Sequence, residues 1–108
     1  MVSEKTIHLN TGEGTSTVQT EHFKGKLDAI IIDAEARVEV LIESELGYNI
    51  LHSHEIFGVQ YLPIRVNGVD NKHHQAGFSF DKYYLNEALT ITIVGQRGKK
   101  VNFTFRFD

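Results

Sequence analysis

Apolar side chains fall on every second position over two long stretches near the end of the chain. In Leu89-Thr90-Ile91-Thr92-Ile93-Val94 and again in Val101-Asn102-Phe103-Thr104-Phe105-Arg106-Phe107 the period is two. An extended strand places successive side chains on opposite faces, so each stretch reads as a strand with one oily and one wet face. Gly95-Gln96-Arg97-Gly98-Lys99-Lys100 lies between them, and the pattern predicts a hairpin closed by a basic connector. Burying Val101, Phe103, Phe105 and Phe107 gains roughly 1.5–3 kcal/mol each. Fixing their backbone costs about 1–2 kcal/mol per residue. The two totals are comparable, so the hairpin needs a facing layer. Leu89, Ile91 and Ile93 are expected beside the last strand, with Ile30, Ile32, Val38, Val40 and Ile42 opposite.

Upstream, residues 6–10 form a short first strand, Thr11-Gly12-Glu13-Gly14 a turn, and residues 15–23 a Thr-rich β-compatible stretch. Residues 27–33 contain Ile30-Ile31-Ile32, read as a strand buried on both faces. Asp33-Ala34-Glu35-Ala36 then joins it to residues 38–43, where Val38, Val40 and Ile42 share a face, and this is a second candidate hairpin. Residues 39–45 have helical propensity, but the alternation is period two and Gly47 ends the window before a helix repays its nucleation. Residues 48–51, 58–66 and 78–85 supply further strands, and residues 67–77 the longest loop. Pro63 cannot donate to a ladder, so its strand belongs at an edge or carries a bulge there. Seven or eight strands with turns at roughly 8–12-residue intervals predict an all-β, antiparallel β-sandwich, jelly-roll or immunoglobulin-like, with residues 1–108 as a single domain.

Composition narrows the function classes. Cysteine is absent, which removes disulfides and thiolate metal sites and fits synthesis in a reducing cytoplasm. No secretory signal is visible at the start, and no apolar run approaches the ~20 residues that cross a bilayer, so no membrane partner is expected. Eleven basic against fourteen acidic side chains leave a formal charge of −3, which disfavours nucleic acid as a partner. Imidazoles titrate near pH ~6.5, so protonating the six histidines would reverse the sign of that charge.

Chemistry-bearing clusters are few. His52-Ser53-His54-Glu55 and Lys72-His73-His74-Gln75 are the histidine-rich stretches. In a strand, His52 and His54 share a face and can chelate a divalent metal with Glu55 nearby. The cupin metal motif is not matched: Gly47 precedes His52 by five positions rather than six, Gly58 and Val59 stand where its glutamate belongs, and Pro63 is followed by Ile64 and Arg65. Solvated loop histidines are the favoured reading, with no metal and no other cofactor expected. Glu39, Glu43 and Glu45 read as a solvated strand face rather than an acid–base pair. No nucleophile elbow is present, and Gly12-Glu13-Gly14 lacks the Gly-Lys-Ser/Thr of a phosphate loop. No catalytic residue is therefore expected, and the chain is not expected to be an enzyme. Arg97, Lys99 and Lys100 read as a soluble hairpin tip. Among Phe57, Tyr48, Tyr61, Tyr83 and Tyr84, the interface candidates are Tyr61, Tyr83 and Tyr84; adjacent strand tyrosines face opposite ways, so one of Tyr83 and Tyr84 is core and the other surface.

The run Asp81-Lys82-Tyr83-Tyr84-Leu85-Asn86-Glu87-Ala88-Leu89-Thr90-Ile91-Thr92-Ile93-Val94-Gly95, a turn, and Val101-Asn102-Phe103-Thr104-Phe105 resemble the final hairpin of small β-sandwich proteins of tailed bacteriophages. Lys24-Gly25-Lys26-Leu27-Asp28-Ala29-Ile30-Ile31-Ile32 leading to Val38-Glu39-Val40 is similar to their opening. The resemblance implies a non-catalytic virion component: head decoration, head fibre, neck or tail accessory. It also implies capsid, neck or tail proteins as partners, a homo-oligomer, and location in the virion after synthesis in the host bacterial cytoplasm. No functional residue carries over. Two other expectations remain open: a carbohydrate- or receptor-binding module stacking sugars on tyrosine, and a small metal-dependent enzyme using His52 and His54.

Overall fold

Period-two patterning becomes strand, but the strands are longer and pair differently from what the alternation suggests. The computed structural model describes residues 3–45, 47–63, 66–67, 80–81 and 83–108. Its strands are β1 (Ser3–Asn10), β2 (Thr15–Gln19), β3 (Phe23–Ser44), β4 (Asn49–Pro63), β5 (Val66–Asn67), β6 (Phe80–Asp81), β7 (Tyr83–Glu87), β8 (Leu89–Gly95) and β9 (Lys100–Phe107). There is no helix among the described residues. A seven-stranded antiparallel sheet has the order β1-β9-β3-β8-β2, with β4 and β7 also paired to β3; β5 and β6 form a small separate ladder. The all-β antiparallel class and the strand number agree with the sequence.

The central element is β3, 22 residues in one strand. At ~3.3 Å per residue it would run roughly 70 Å if straight. The longest dimension of the molecule is 46 Å, so β3 must bend. The bend is visible in the register: Ala34 pairs with Gly58 and Val38 with Ile56, so β3 spends four steps where β4 spends two. Before the bend β3 pairs with β9, Ile30 opposite Phe105 and Ile32 opposite Phe103. After it, β3 pairs with β8, Val40 opposite Ile93 and Ile42 opposite Ile91. The other side of β3 is followed through both halves by β4. The sheet thus curls, and the inward faces of its halves meet in one core that joins Ile30, Ile32 and Phe105 to Val40, Ile42 and Ile91. Phe23 packs on Phe105 and Phe107 at ring separations of 5.1 and 5.5 Å.

Both predicted hairpins are replaced by other connections. β8 pairs with β2 and β3, and β9 with β1 and β3, so residues 96–99 form an arch between the halves of the sheet. Either connection buries the same alternate residues, so the pattern gives the buried face and not the partner. Ile30 and Ile32 accordingly lie beside the last strand, not opposite it. Asp33-Ala34-Glu35-Ala36 does not reverse the chain, for it lacks Gly, Asn or Pro turn chemistry and serves as the bend in β3. The stretch 27–33 is buried on one face only, since Ile31 is half-buried and Asp33 exposed. The strands predicted at 48–51 and 58–66 merge through residues 52–57 into β4, which takes the two histidines out of a loop. β4 is an edge strand, as Pro63 at its end requires. Most of the loop predicted at 67–77, and His73 and His74 with it, lies outside the described residues.

The 96–99 arch is stacked on the β1–β2 turn. The Thr11 hydroxyl donates to the Gln96 carbonyl and accepts from the Lys99 N–H at 2.9 Å. Gly98 N–H reaches Gly12 O at 2.9 Å, Gly95 N–H reaches Gly14 O at 2.8 Å, and Arg97 meets Glu13 at 2.7 Å. Gly95 is obligatory here, because a Cβ would stand 2.9 Å from both Arg37 O and Val38 Cγ1.

Candidate functional site

Among the described residues four strands, β1, β2, β4 and the five-residue β7, pair with a single neighbour, and these edges differ in how they are protected. β1 carries Glu4, Lys5 and His8, and β2 is only five residues long. Charge and brevity are the usual means of blunting an edge against unwanted pairing. β4 has 15 residues, and between Ile56 and Leu62 it carries no charge. Gly58, at φ 72°, reshapes this part of the strand as only glycine does readily. Phe57, Val59 and Tyr61 stand 59%, 71% and 51% exposed along it. Tyr61 lies opposite Ile31 and Val59 opposite Asp33, on the outer face of the sheet.

Of the predicted interface residues, Tyr61 is therefore on an apolar edge. Tyr84 is also exposed and pairs with Lys26 from β7, on the same side of β3 as β4. The Tyr83 side chain lies outside the described residues. Tyr48 is exposed in the β3–β4 turn. Val59 was missed by sequence reasoning. Its signal was the i, i+2, i+4 series Phe57, Val59, Tyr61, which reads as readily as a core face.

Earlier in β4 the outer face is polar. His52 and His54 lie on the same face, and Glu39 of β3 lies between them. Its Oε2 accepts from His52 Nε2–H at 3.1 Å and from His54 Nδ1–H at 3.0 Å. An ionised carboxylate only accepts, which fixes the N–H direction. The hydrogen bond from His52 lowers the Glu39 pKa; partial burial opposes this, and the bond and charge of His54 reinforce it. A register shift places the pairing Val38–Ile56 next to Val40–Ser53, so β4 carries one extra residue at His54-Glu55. Bulges of this kind re-aim side chains. Glu55 turns instead to Arg37, at 2.9 Å. Sequence reasoning thus found both histidines but assigned the carboxylate to Glu55 instead of Glu39.

Of the remaining acidic candidates, Glu45 has structural partners. Glu45 Oε1 accepts from Ala88 N–H at 2.8 Å, and Glu87 Oε1 accepts from Glu45 N–H at 2.7 Å, tying the β3–β4 turn to the start of β8. Glu43 lies opposite Thr90 on the outer face. The basic connector is not a free tip, since Arg97 is paired with Glu13 and the Lys100 N–H donates to Glu35 at 2.9 Å. An open depression beside β1 and β9 is lined by His8, Asn10, Lys100 and Asn102, with His8 donating to Asn102 Oδ1 at 2.7 Å.

No protein-family model matches the sequence, and no curated protein does either. Among solved structures, the chain is similar to a protein of Bacillus endospore appendages, described as a novel family of disulfide-linked pili. The identity is 11%, with 99% of this chain and 86% of that one covered, at a TM-score of 0.38.

Proposed function

We propose that the chain is a non-catalytic structural subunit that acts by protein–protein contact, with the β4 edge around Phe57, Val59 and Tyr61 as its docking surface. The observation that carries this reading is the contrast between edges: β1 is charged and β2 short, whereas β4 offers an uncharged, apolar run and, among the described residues, pairs with β3 alone. The occupant we assign is a second copy of this chain. Antiparallel pairing of two identical edges is self-complementary about a twofold axis, since each strand supplies the donors the other needs. Repetition on a larger assembly would then add avidity to a modest contact.

Within that reading, we place the protein in the virion of a tailed bacteriophage, in contact with capsid, neck or tail proteins. The sequence resemblance of residues 81–95 and 101–105 to the final hairpin of such proteins supports this, while here the two strands are joined by an arch and pair with other partners. Mass spectrometry of purified virions tests it: the reading expects the protein at stoichiometric levels, and its absence from particles would overturn the virion assignment. A second reading, sugar stacking in a carbohydrate- or receptor-binding module, is supported by the exposed rings of Tyr61 and Tyr84. Under that reading a glycan array gives hits that Tyr61→Ser abolishes.

A further inference from the structure

Among the described residues, Glu39, His52 and His54 offer three ligand atoms within 4.8 Å of one another. Two imidazole nitrogens already converge on one carboxylate oxygen, at 3.1 and 3.0 Å. Ligand atoms about 2.0–2.2 Å from a tetrahedral ion stand roughly 3.3–3.5 Å from one another. Both nitrogen–oxygen pairs are therefore close to ligand spacing, and the movement still needed is that of a ring. His54, with its side chain 81% exposed, is free to make it.

We propose that Glu39, His52 and His54 form a binding site for one divalent transition-metal ion, with Zn²⁺ as the type. Two features of the fold build the site. β4 holds His52 and His54 on one face by strand periodicity, and the bulge at His54-Glu55 gathers them over Glu39 on the neighbouring strand. Two nitrogens and one oxygen select zinc, nickel, cobalt or copper over calcium and magnesium, which prefer oxygen. The ionised state of Glu39 suits ligation, and the cation nearest in sequence, Arg37, is already neutralised by Glu55. On binding, each coordinating nitrogen gives up its N–H: the ring proton moves to the other nitrogen of a neutral imidazole, or is released from an imidazolium. Three protein ligands leave at least one coordination position facing solvent. The site is separate from the apolar part of the β4 edge, and the proposal does not depend on the docking reading.

Titration calorimetry with zinc chloride tests it on the full chain. The expected result is one ion per chain. Loss of a hydrogen bond that merely supports a metal ligand costs about 10–100-fold in affinity, and loss of a ligand costs at least as much. His52→Ala and His54→Ala should each weaken binding by that factor, while the double variant H73N/H74N binds like the parent. Melting curves in chelator establish that each variant is folded. Nitrogen NMR of the imidazoles gives a second readout, in which zinc shifts the ring signals of His52 and His54. No zinc uptake by the parent, or uptake abolished in H73N/H74N and unchanged in His52→Ala, would overturn the site. Calcium binding as tight as zinc would overturn the class of ion.

Discussion

The two halves of the curled sheet each carry an outer-face row built on the same plan, and these rows differ at the last position. Across one half the outer face reads Thr6, Thr104, Ile31, Tyr61, each opposite the next in register. Across the other it reads Thr17, Thr92, Leu41, His52. In both, threonine hydroxyls meet between the outermost strands, at 3.4 and 3.3 Å, and a branched aliphatic on β3 follows. The inner rows are apolar in each half, because they share one core. These two rows part on β4, where one ends in Tyr61 beside Phe57 and Val59, and the other in His52, which with His54 meets Glu39 of β3. Packing fixes the inside, and the outer face is where the halves vary: the next row reads His8, Asn102, Asp33, Val59 in one half and Thr15, Val94, Glu39 in the other.

The largest effect should separate inside from outside. Phe105 is fully buried. Truncating such a residue costs about 3–5 kcal/mol, and burying a charge costs more. That is comparable to the whole stability of a small domain, about 5–15 kcal/mol. Phe105→Asp should abolish the cooperative melt and the β-type far-ultraviolet spectrum, whereas Phe57→Asp on the exposed edge should keep both and lose no more than the contact between copies contributes. Equal behaviour of the two variants would mean that the faces are misassigned.

A smaller effect probes the junction of the halves. Gly95→Ala places a methyl 2.9 Å from backbone at the bend of β3. Overpacking of this kind costs about 1–3 kcal/mol. A domain of this size then melts several degrees lower, and an unchanged melting temperature would show that β8 does not approach β3 as closely as described.

The smallest effect concerns the polar end of β4. The folded pKa of Glu39 lies below its ordinary value of 4.5, so its contribution to stability is present above that value and is lost as pH falls through the lowered one. Glu39→Gln removes this dependence. The melting-temperature difference between parent and variant should be visible at about pH 6 and shrink steadily as acid protonates the carboxyl in both folded and unfolded chains. A difference that persists at the acid end would assign the effect to something other than the carboxylate.

The faces of the strands were legible in the sequence, and the partners were not. Phe103, Phe105, Ile91 and Ile93 announce burial by alternation, and all four are fully buried. Alternation is silent on whether Gly95-Gln96-Arg97-Gly98 makes a hairpin or an arch, because the same residues face the core in both. The 22 residues of β3 look like two strands because the bend at Asp33–Arg37 interrupts the apolar period without reversing the chain. His-x-His announced a shared face. Glu39 joined it only through register, a long-range property set by a one-residue bulge some fifteen positions away. Pro63 did identify an edge strand, since a missing N–H is local.

Light scattering on the parent chain and on Val59→Lys tests the docking edge most directly. Val59 is 71% exposed, so the lysine leaves the core intact while placing a charge in the uncharged apolar run of β4. The account predicts a mass at least twice the 12.3 kDa of one chain for the parent, and for the variant a monomer that still melts cooperatively, its melting temperature lowered only by loss of the contact between copies. A parent that stays at 12.3 kDa at high concentration, or a variant that keeps the oligomeric mass, would contradict it.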